Sequence, residues 1–471
     1  MTWLWTGDAL VEAMDGRPLG TMPEGVTGLS IDSRTIAAGE AFFAIRGERF
    51  DGHDFASAAL ANGAGLLVVS EARLPALGRL QVPMIIVDDV LEALGRLAIA
   101  ARARSRATVI AVTGSAGKTT TKEMLRRALE PSGSVHVSPA SFNNHWGVPL
   151  SLARMPAETR FAVFELGMNH AGEIGPLSRL VRPHIAIITT IAAAHLGNFD
   201  SLNGIAFAKA EIFEGLEPDG HAVLNRDNEK FSLLKKAAVK AGCAHVHGFG
   251  EHKRAEFRLL NIELLPDCSC LTARIGTQDV ALKISAPGRH LAQNALATLG
   301  AVHLAGADLA KAALSFSSIM PEKGRGERHL LELDGSPFTL IDESYNANPA
   351  SMRAALENLR DTPVSLRGRR IAILGDMLEL GRFSRDYHAG LAEPLQEAGV
   401  EVLLLAGDEM RALHDCVRGK MSVDHRANAE ELAEIIVRTI QPGDAVMVKS
   451  SNGLGFSKIV QALMDRYASR A

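Results

Sequence analysis

Apolar positions along this chain repeat with two different periods. Between Ser105 and Met320, apolar runs of strand length ("VIAVTG", "FAVFELG", "IAIITTI", "HAVLN") take turns with stretches of helical spacing at Thr120 to Glu130, Glu173 to Leu180 and Ile205 to Glu214. Continuous apolar runs read as strands buried on both faces, and their alternation with helices predicts a parallel, doubly wound sheet. From Gly248 to Pro287 the text changes to strand-like runs broken by turn residues, which predicts an antiparallel addition to that sheet. A second alternation begins near "PEKGRGERH" and runs through "FTLIDESY", "RRIAILGDM", "VEVLLLAGD" and "DAVMVKSS", a Rossmann-like α/β pattern. The opening segment differs from both. There "AFFAI" and "GLLVVS" flank one helical stretch, Phe55 to Ala61, as in a small mixed α/β unit.

The basic helix end "ARARSR" separates that unit from the first long alternation. The expected organisation is therefore α/β in three domains: a small mixed N-terminal domain over 1–103, a central parallel-sheet domain over 104–320, and a Rossmann-like C-terminal domain over 321–471. A length of 471 residues agrees with that count. Hydrophobic residues at 47% and charged residues at 22% describe a chain that buries cores, with no repeat or low-complexity tract. A net charge of -4 and a pI near 6.5 exclude a basic field that would gather nucleic acid, so a small-molecule partner is expected. Cys243, Cys268, Cys270 and Cys416 are too few and too scattered for a zinc site or a disulfide framework. No apolar run approaches a membrane span, and "MTWLWTGDALVEAMDG" carries Asp8 and Glu12, so the expectation is a cytoplasmic protein with reduced thiols and no membrane insertion.

The chemistry begins at "VTGSAGKTTT", from Val112 to Thr121. Gly114, Ser115, Ala116, Gly117, Lys118, Thr119 and Thr120 follow a predicted strand and open a predicted helix, the context a phosphate loop requires. Glycines let backbone N–H groups turn inward on phosphate oxygens, and the helix N-terminus adds its positive end. Lys118 would neutralise the β- and γ-phosphates, and Thr119 would offer its hydroxyl to Mg²⁺. The spacing departs from G-x-x-x-x-G-K-[ST], because Val112 stands where the first glycine would be. A plain glycine turn is the alternative, and it leaves the lysine and the run of threonines unexplained.

Magnesium needs anionic oxygen ligands that the loop lacks. Glu165, closing the strand "FAVFELG", reaches the edge where ligands bind in such sheets, although a solvated strand-end glutamate has the same signature. His195, after "IAIITTI", reaches the same edge and reads equally as a second ligand or a structural histidine. Lys209 in "AFAKAEIF" does not fit at first sight, since an ammonium is repelled by Mg²⁺, and spacing alone favours a solvated lysine.

These stretches carry a resemblance. "TGSAGKTTTKEML" resembles the T-G-[TS]-x-G-K-T-[TS] signature of the Mur ligase family, and the likeness continues through "SFNNHWGVPLSL" from Ser141, "FELGMNHAGEI" from Phe164, "AAAHLGNFDSLNGIAFAKAEIF" from Ala192, "GRHLAQNALA" from Gly288 and "IDESYNANPASMRAAL" from Ile341. It spans essentially the whole chain and accounts for the shortened glycine spacing. The family's ATP-dependent amide ligases build peptidoglycan precursors. "YNANPASM" and "NNHWGVPL" resemble the branch that adds D-alanyl-D-alanine to UDP-N-acetylmuramoyl-tripeptide. The branch that adds the preceding residue carries a D-N-P-R-type motif where this chain has Asn348, Pro349, Ala350 and Ser351. A folylpolyglutamate synthase would not share "SIDSRTIAAGEAFFAIRGERFDGHDF", which resembles a uridine-nucleotide-binding domain.

The resemblance implies ATP and two Mg²⁺ ions, with Lys118 and Thr119 on phosphates and metal, and Glu165 and His195 as metal ligands. It also implies that Lys209 is carbamylated, which turns a repelled ammonium into an anionic oxygen ligand. Asn294 matches the adenine contact, Arg325 the arginine near the γ-phosphate, and Asp342 and Tyr345 the nucleoside contacts from the third domain. Ser33 and Arg34 match a UDP-contacting turn, while Asn143, Asn144, Asn346 and Asn348 belong with the peptide and ligation site. Two stretches depart from the family: "VKSSNGLGFSKIV" has Asn452 where an arginine is usual, and Leu291 replaces an asparagine, so from that helix only Asn294 is carried over. A monomer is expected, with a hinge near Met320 to Arg328 where Pro321, Gly324 and Gly326 lie. The alternatives are a diaminopimelate- or glutamate-adding ligase of the same family, or a P-loop ATPase without ligase activity.

Overall fold

The computed structural model describes residues 2–78, 82–139 and 142–468. Ser141, the first residue of one family-like stretch, lies outside them.

The central sheet has nine strands. Thr108–Thr113 lies between Phe161–Glu165 on one side and Ile185–Ile188 on the other, all parallel. Val135–Val137 extends one flank, and His221–Asn225, then His245–Gly250, extend the other. Val109, Ile110, Ala111 and Val112 are wholly buried, as expected for a strand covered by helices on both faces. Beyond His245–Gly250 the strand Phe257–Leu264 remains parallel, and Ser269–Ile275 and Gln278–Ile284 then return antiparallel. This is the antiparallel addition expected from the change of pattern.

The helix Lys118–Leu129 buries Thr121, Met124, Leu125, Ala128 and Leu129 against the sheet. Leu202–Ala210 is shorter than its apolar pattern, because the backbone tightens into a 3₁₀ turn at Glu211–Gly215.

The third domain has six strands: Glu327–Leu333 pairs antiparallel with Ser336–Glu343, and Ala445–Lys449, Arg370–Gly375, Val402–Ala406 and Ser422–Arg426 follow in parallel. The first hairpin strand was not legible in the apolar pattern, because only Leu331 among its residues is buried. Its pairing takes in Glu327 and Arg328, opposite Asp342 and Ile341, so the last two residues of the expected hinge belong to a strand. Gly324 and Gly326, at φ 77° and 94°, occupy the left-handed region that favours glycine.

A five-stranded sheet forms the body of the N-terminal segment. The helix Val90–Arg104 leads out of it and fastens it to the central domain. Arg102 donates to the Val181 carbonyl at 2.8 Å, the Trp5 indole donates to the Ala153 carbonyl at 2.8 Å, and the Arg104 guanidinium lies 3.3 Å from the Trp5 ring centroid. No helix among the described residues is long and apolar enough to cross a membrane.

Candidate active site

The phosphate loop leaves the central sheet at the strand whose neighbours run on in opposite directions through the sequence, the usual position for a ligand crevice. Its backbone permits nothing but glycine at two places. Gly114 and Gly117 have φ of 153° and 81°, and a Cβ would lie 1.9 Å from the Thr189 hydroxyl at Gly114 or 2.7 Å from Asn294 Oδ1 at Gly117. Thr189 donates to the Ala116 carbonyl at 2.6 Å and Ser115 to the Ala192 carbonyl at 2.9 Å, so neighbouring strand ends hold the loop open. The following helix has no side-chain cap and no acidic residue in its first turn, leaving its N–H groups and positive end facing the loop. Lys118 folds back to donate to the Gly114 carbonyl at 2.8 Å.

A cavity of about 490 Å³ opens in front of the loop. Ser115 through Thr120 line it, with Asn143, Glu165, His195 and Asn294 from the central domain. Arg325, Tyr345, Asn346 and Asn348 line it from the third. Glu165 is 2% exposed; Oε1 accepts from Asn143 at 2.8 Å, while Oε2 is buried with no partner among the described residues. A buried carboxylate oxygen left unsatisfied costs stability unless a cation completes it. His195 has φ 59° and its buried Nδ1 pairs with Glu379 Oε2 of the third domain. That pairing, first through the hydrogen bond from His195, holds the Glu379 carboxyl below its ordinary range.

Lys209 lies behind the cavity wall, 1% exposed. Burial, then repulsion from Lys118, push its amine well below the ordinary lysine value, and Glu165 only partly opposes them. Burial also lowers Lys118, with Glu165 opposing and Arg325 adding to the fall. The Glu165 carboxylate thus faces two lysines, and Arg325, itself paired with Glu322, adds positive charge nearby. Among the described residues no group of three or more His, Cys, Asp or Glu side chains is arranged to hold a metal. Thr119 Oγ1 and Glu165 Oε2 are oxygen donors at the loop, a partial donor set that fits a divalent ion sharing the phosphates of a bound nucleotide.

The third domain reaches the loop directly. Arg325 donates to Thr119 Oγ1 at 3.2 Å, pairs with Glu322 at 3.3 Å, and lies 4.1 Å from the Tyr345 ring centroid. Asn348 caps the helix Pro349–Arg360 through a reciprocal bond with Ser351 and extends Nδ2 to the Ser115 carbonyl at 3.4 Å.

Other expected residues lie elsewhere. Asp342 is buried, does not line the cavity, and accepts from the Ser344 N–H at 3.0 Å and hydroxyl at 2.6 Å. Asn144 accepts from the Gly147 N–H at 2.9 Å, setting the turn into the next helix. Ser33 and Arg34 belong to the N-terminal domain: Asn62 donates to the Ser33 carbonyl at 2.7 Å, and exposed Arg34 grips Asp32 with two bonds, lowering that carboxyl to about 2. Sequence reasoning passed over Glu343, Lys449 and His290, which also line the cavity, and Glu379. Glu343 and Lys449 close apolar strands, the same signal that singled out Glu165.

A glycine-walled phosphate loop at the switch point of a parallel sheet, met by an arginine from a second α/β domain, defines a P-loop nucleotide-binding protein. The chain belongs to the Mur ligase family, and within it to the MurF type. Residues 25–102 match the model for the Mur ligase family catalytic domain, 112–302 the Mur ligase middle domain, and 324–452 the Mur ligase glutamate ligase domain. The UDP-N-acetylmuramoyl-tripeptide–D-alanyl-D-alanine ligase of Escherichia coli K12 is 36% identical over 93% of this chain and 93% of the relative. That of Rickettsia prowazekii is 33% identical over 92% of this chain and 94% of its own. Among solved structures, MurF from Acinetobacter baumannii superposes with a TM-score of 0.85 at 30% identity, covering 98% and 99% of the two chains. The fold is also that of Thermotoga maritima MurF ligase in complex with ADP, at a TM-score of 0.77, 24% identity, and coverage of 93% and 98%.

Proposed function

We propose that this chain is an ATP-dependent amide ligase that joins D-alanyl-D-alanine to UDP-N-acetylmuramoyl-tripeptide, yielding the UDP-linked pentapeptide, ADP and phosphate. The observation carrying the nucleotide chemistry is the single cavity in which Lys118, Thr119 and Glu165 of one domain meet Arg325 of another. Similarity over more than nine-tenths of the chain to ligases of that name supports the choice of acceptor.

In the reaction, a terminal carboxylate oxygen of the tripeptide attacks the γ-phosphorus as the bond to the β-phosphate oxygen breaks. This gives an acyl phosphate and ADP. The attack brings an anion towards an anion, and Lys118, Arg325 and the loop N–H groups offset that repulsion from fixed positions. The dipeptide amine then attacks the acyl carbon and phosphate leaves. Tyr345 and Asn346 line the cavity from the third domain, where closure on the bound substrates would exclude the water that hydrolyses an acyl phosphate.

Magnesium, when bound, supplies charge neutralisation on the transferring oxygens; Thr119, Glu165 and His195 are the side chains that would hold it. Lys209 would join them as a carbamate. Its neutral amine adds to the carbon of CO₂, one C–O π pair moves onto oxygen, and the proton passes to solvent, leaving an anionic ligand beside Glu165. Asn294, whose side chain abuts Gly117, would face the adenine, and Ser33 with Arg34 would contact the uridine nucleotide. We assign the enzyme to the cytoplasm, where ATP and nucleotide-activated sugars meet, and, on the family likeness alone, to a monomer.

The test is phosphate release from Mg²⁺-ATP with UDP-N-acetylmuramoyl-tripeptide, with D-alanyl-D-alanine present or omitted, and the mass of the product. Dependence on both substrates with the pentapeptide mass is expected. Release with single amino acids but not the dipeptide would replace the acceptor, and release without any amine would replace ligation by plain ATP hydrolysis.

A further inference from the structure

The stretch "ILGDMLELG" does not line the cavity, yet its loop contacts the segment that carries His195 directly. Glu379 Oε2 pairs with His195 Nδ1, and the Glu379 carbonyl accepts from the Gly197 N–H at 2.7 Å. Two glycines make this approach possible: a Cβ on Gly381 would lie 2.7 Å from Gly197 Cα, and one on Gly197 would lie 3.1 Å from the Glu379 carbonyl oxygen. His195 and Glu379 have φ of 59° and 64°, a left-handed backbone that non-glycine residues hold only where surroundings over-determine it. The surroundings are present. Leu378 N–H donates to Ser451 Oγ at 2.9 Å, Met377 N–H to His388 Nε2 at 2.9 Å, and Met377 and Leu380 join Leu196 in one buried apolar cluster.

A carboxylate on one imidazole nitrogen keeps the proton there and leaves the lone pair on the other. With Nδ1 buried against Glu379, Nε2 is the nitrogen left for the cavity that the ring lines. We propose that Glu379 is a positioning residue for His195, so that docking of the third domain's loop 376–383 sets the tautomer and direction of a histidine belonging to the central domain. This rests on the reading of His195 as a metal ligand. It goes further in making that ligand depend on domain closure: an undocked third domain leaves the histidine free to turn.

The experiment measures Mn²⁺ binding, by electron paramagnetic resonance, to the full chain loaded with a non-hydrolysable ATP analogue. Glu379→Ala should weaken binding by roughly tenfold, in the range seen when the partner of a metal-bound histidine is removed. Glu379→Gln should recover most of it, because an amide oxygen still accepts from Nδ1–H. In a His195→Ala background, Glu379→Ala should add nothing. Wild-type binding by Glu379→Ala while His195→Ala is impaired overturns this inference alone, as do additive losses in the double variant. Wild-type binding by His195→Ala overturns both the ligand assignment and this inference. If Glu379→Ala does not fold, the ¹⁵N spectrum of His195 in the wild-type chain decides: a proton on Nδ1 supports the proposal, and one on Nε2 overturns it.

Discussion

Lys209 and Lys449 are buried to nearly the same degree, 1% and 2% exposed, and their circumstances are opposite. Lys449 closes a strand of the third domain and is fully provided for: it donates to Glu343 at 3.1 Å and to the Asn346 carbonyl at 3.0 Å. Lys209 lies on a central-domain helix, and among the described residues its amine has no hydrogen bond or ion pair, with Lys118 as its nearest electrostatic opponent. A buried, satisfied charge is structure, whereas burial without a partner pushes an amine towards its neutral, nucleophilic form. The same contrast separates the two domains. The central one sets Lys118 and Lys209 against Glu165 and so awaits anions, while in the third Lys449 is balanced by Glu343.

The largest effect should come from the unbalanced lysine. Lys209→Ala is expected to lower ligation by at least about a hundredfold, the scale of losing one charge-stabilising group, with nucleotide binding retained. Rigorous removal of CO₂ should depress the wild-type rate and bicarbonate should restore it. Wild-type turnover in Lys209→Ala, measured by phosphate release, would return the residue to a packing role.

Lys449 should answer in stability instead. Lys449→Met strands the Glu343 carboxylate, which is largely buried, and should cost about 3 kcal/mol in urea unfolding. Adding Glu343→Gln should recover much of that loss. If the single variant unfolds like the wild type, the two lysines do not differ in the way argued. Arg325 lies between these cases, because it crosses from the balanced domain to the unbalanced one. Arg325→Lys keeps the charge but gives up the single bond to Thr119 Oγ1 and the stacking on Tyr345, and kcat should fall ten- to a hundredfold, roughly the cost of misplacing a group at the reacting centre. An equal loss in KM alone would make Arg325 a binding residue only.

Much of this contrast was legible in the chain. Gly114, Gly117 and Lys118 announce themselves, because strand, glycines, lysine and helix follow one another without interruption and the loop's chemistry is local. Glu165 was readable from its place at the end of a continuous apolar run. Glu379 was not, since its meaning comes from His195, far away in sequence and brought near only by docking of two domains. The hairpin strand Glu327–Leu333 was invisible for a different reason: an edge strand with one buried residue has no apolar period to read. Asp342, a nucleoside contact by the family resemblance, carries a detail no sequence pattern shows: Ser344 donates to its carboxylate in the turn that leads to Tyr345 and Asn346.

The weakest effect should arise at the opposite end of the central sheet, where like groups are again crowded together but can shed their charge. His221 begins one strand and His245 and His247 lie on its parallel neighbour; His221 Nδ1 is 3.1 Å from His247 Nε2, and the His247 ring stacks on Phe257 at 5.6 Å. Burial, then repulsion from His247 and His245, hold His221 below the ordinary histidine value of 6.5; burial likewise lowers His247, against the pull of Glu256 and with His245 and His303 adding to the fall. The folded chain therefore binds fewer protons here than the unfolded chain once pH drops below about 6.5, so stability is complete above that pH and declines as pH falls towards the lower folded values. Between pH 7 and pH 5 the decline from His221 should amount to well under one proton's worth of about 1.4 kcal/mol per pH unit, because the rings keep some contact with water. His221→Phe, which keeps an aromatic face beside His247 and takes up no proton, should flatten the slope of unfolding free energy against pH without touching ligation at neutral pH. An unchanged slope would mean that these histidines take up protons as readily folded as unfolded.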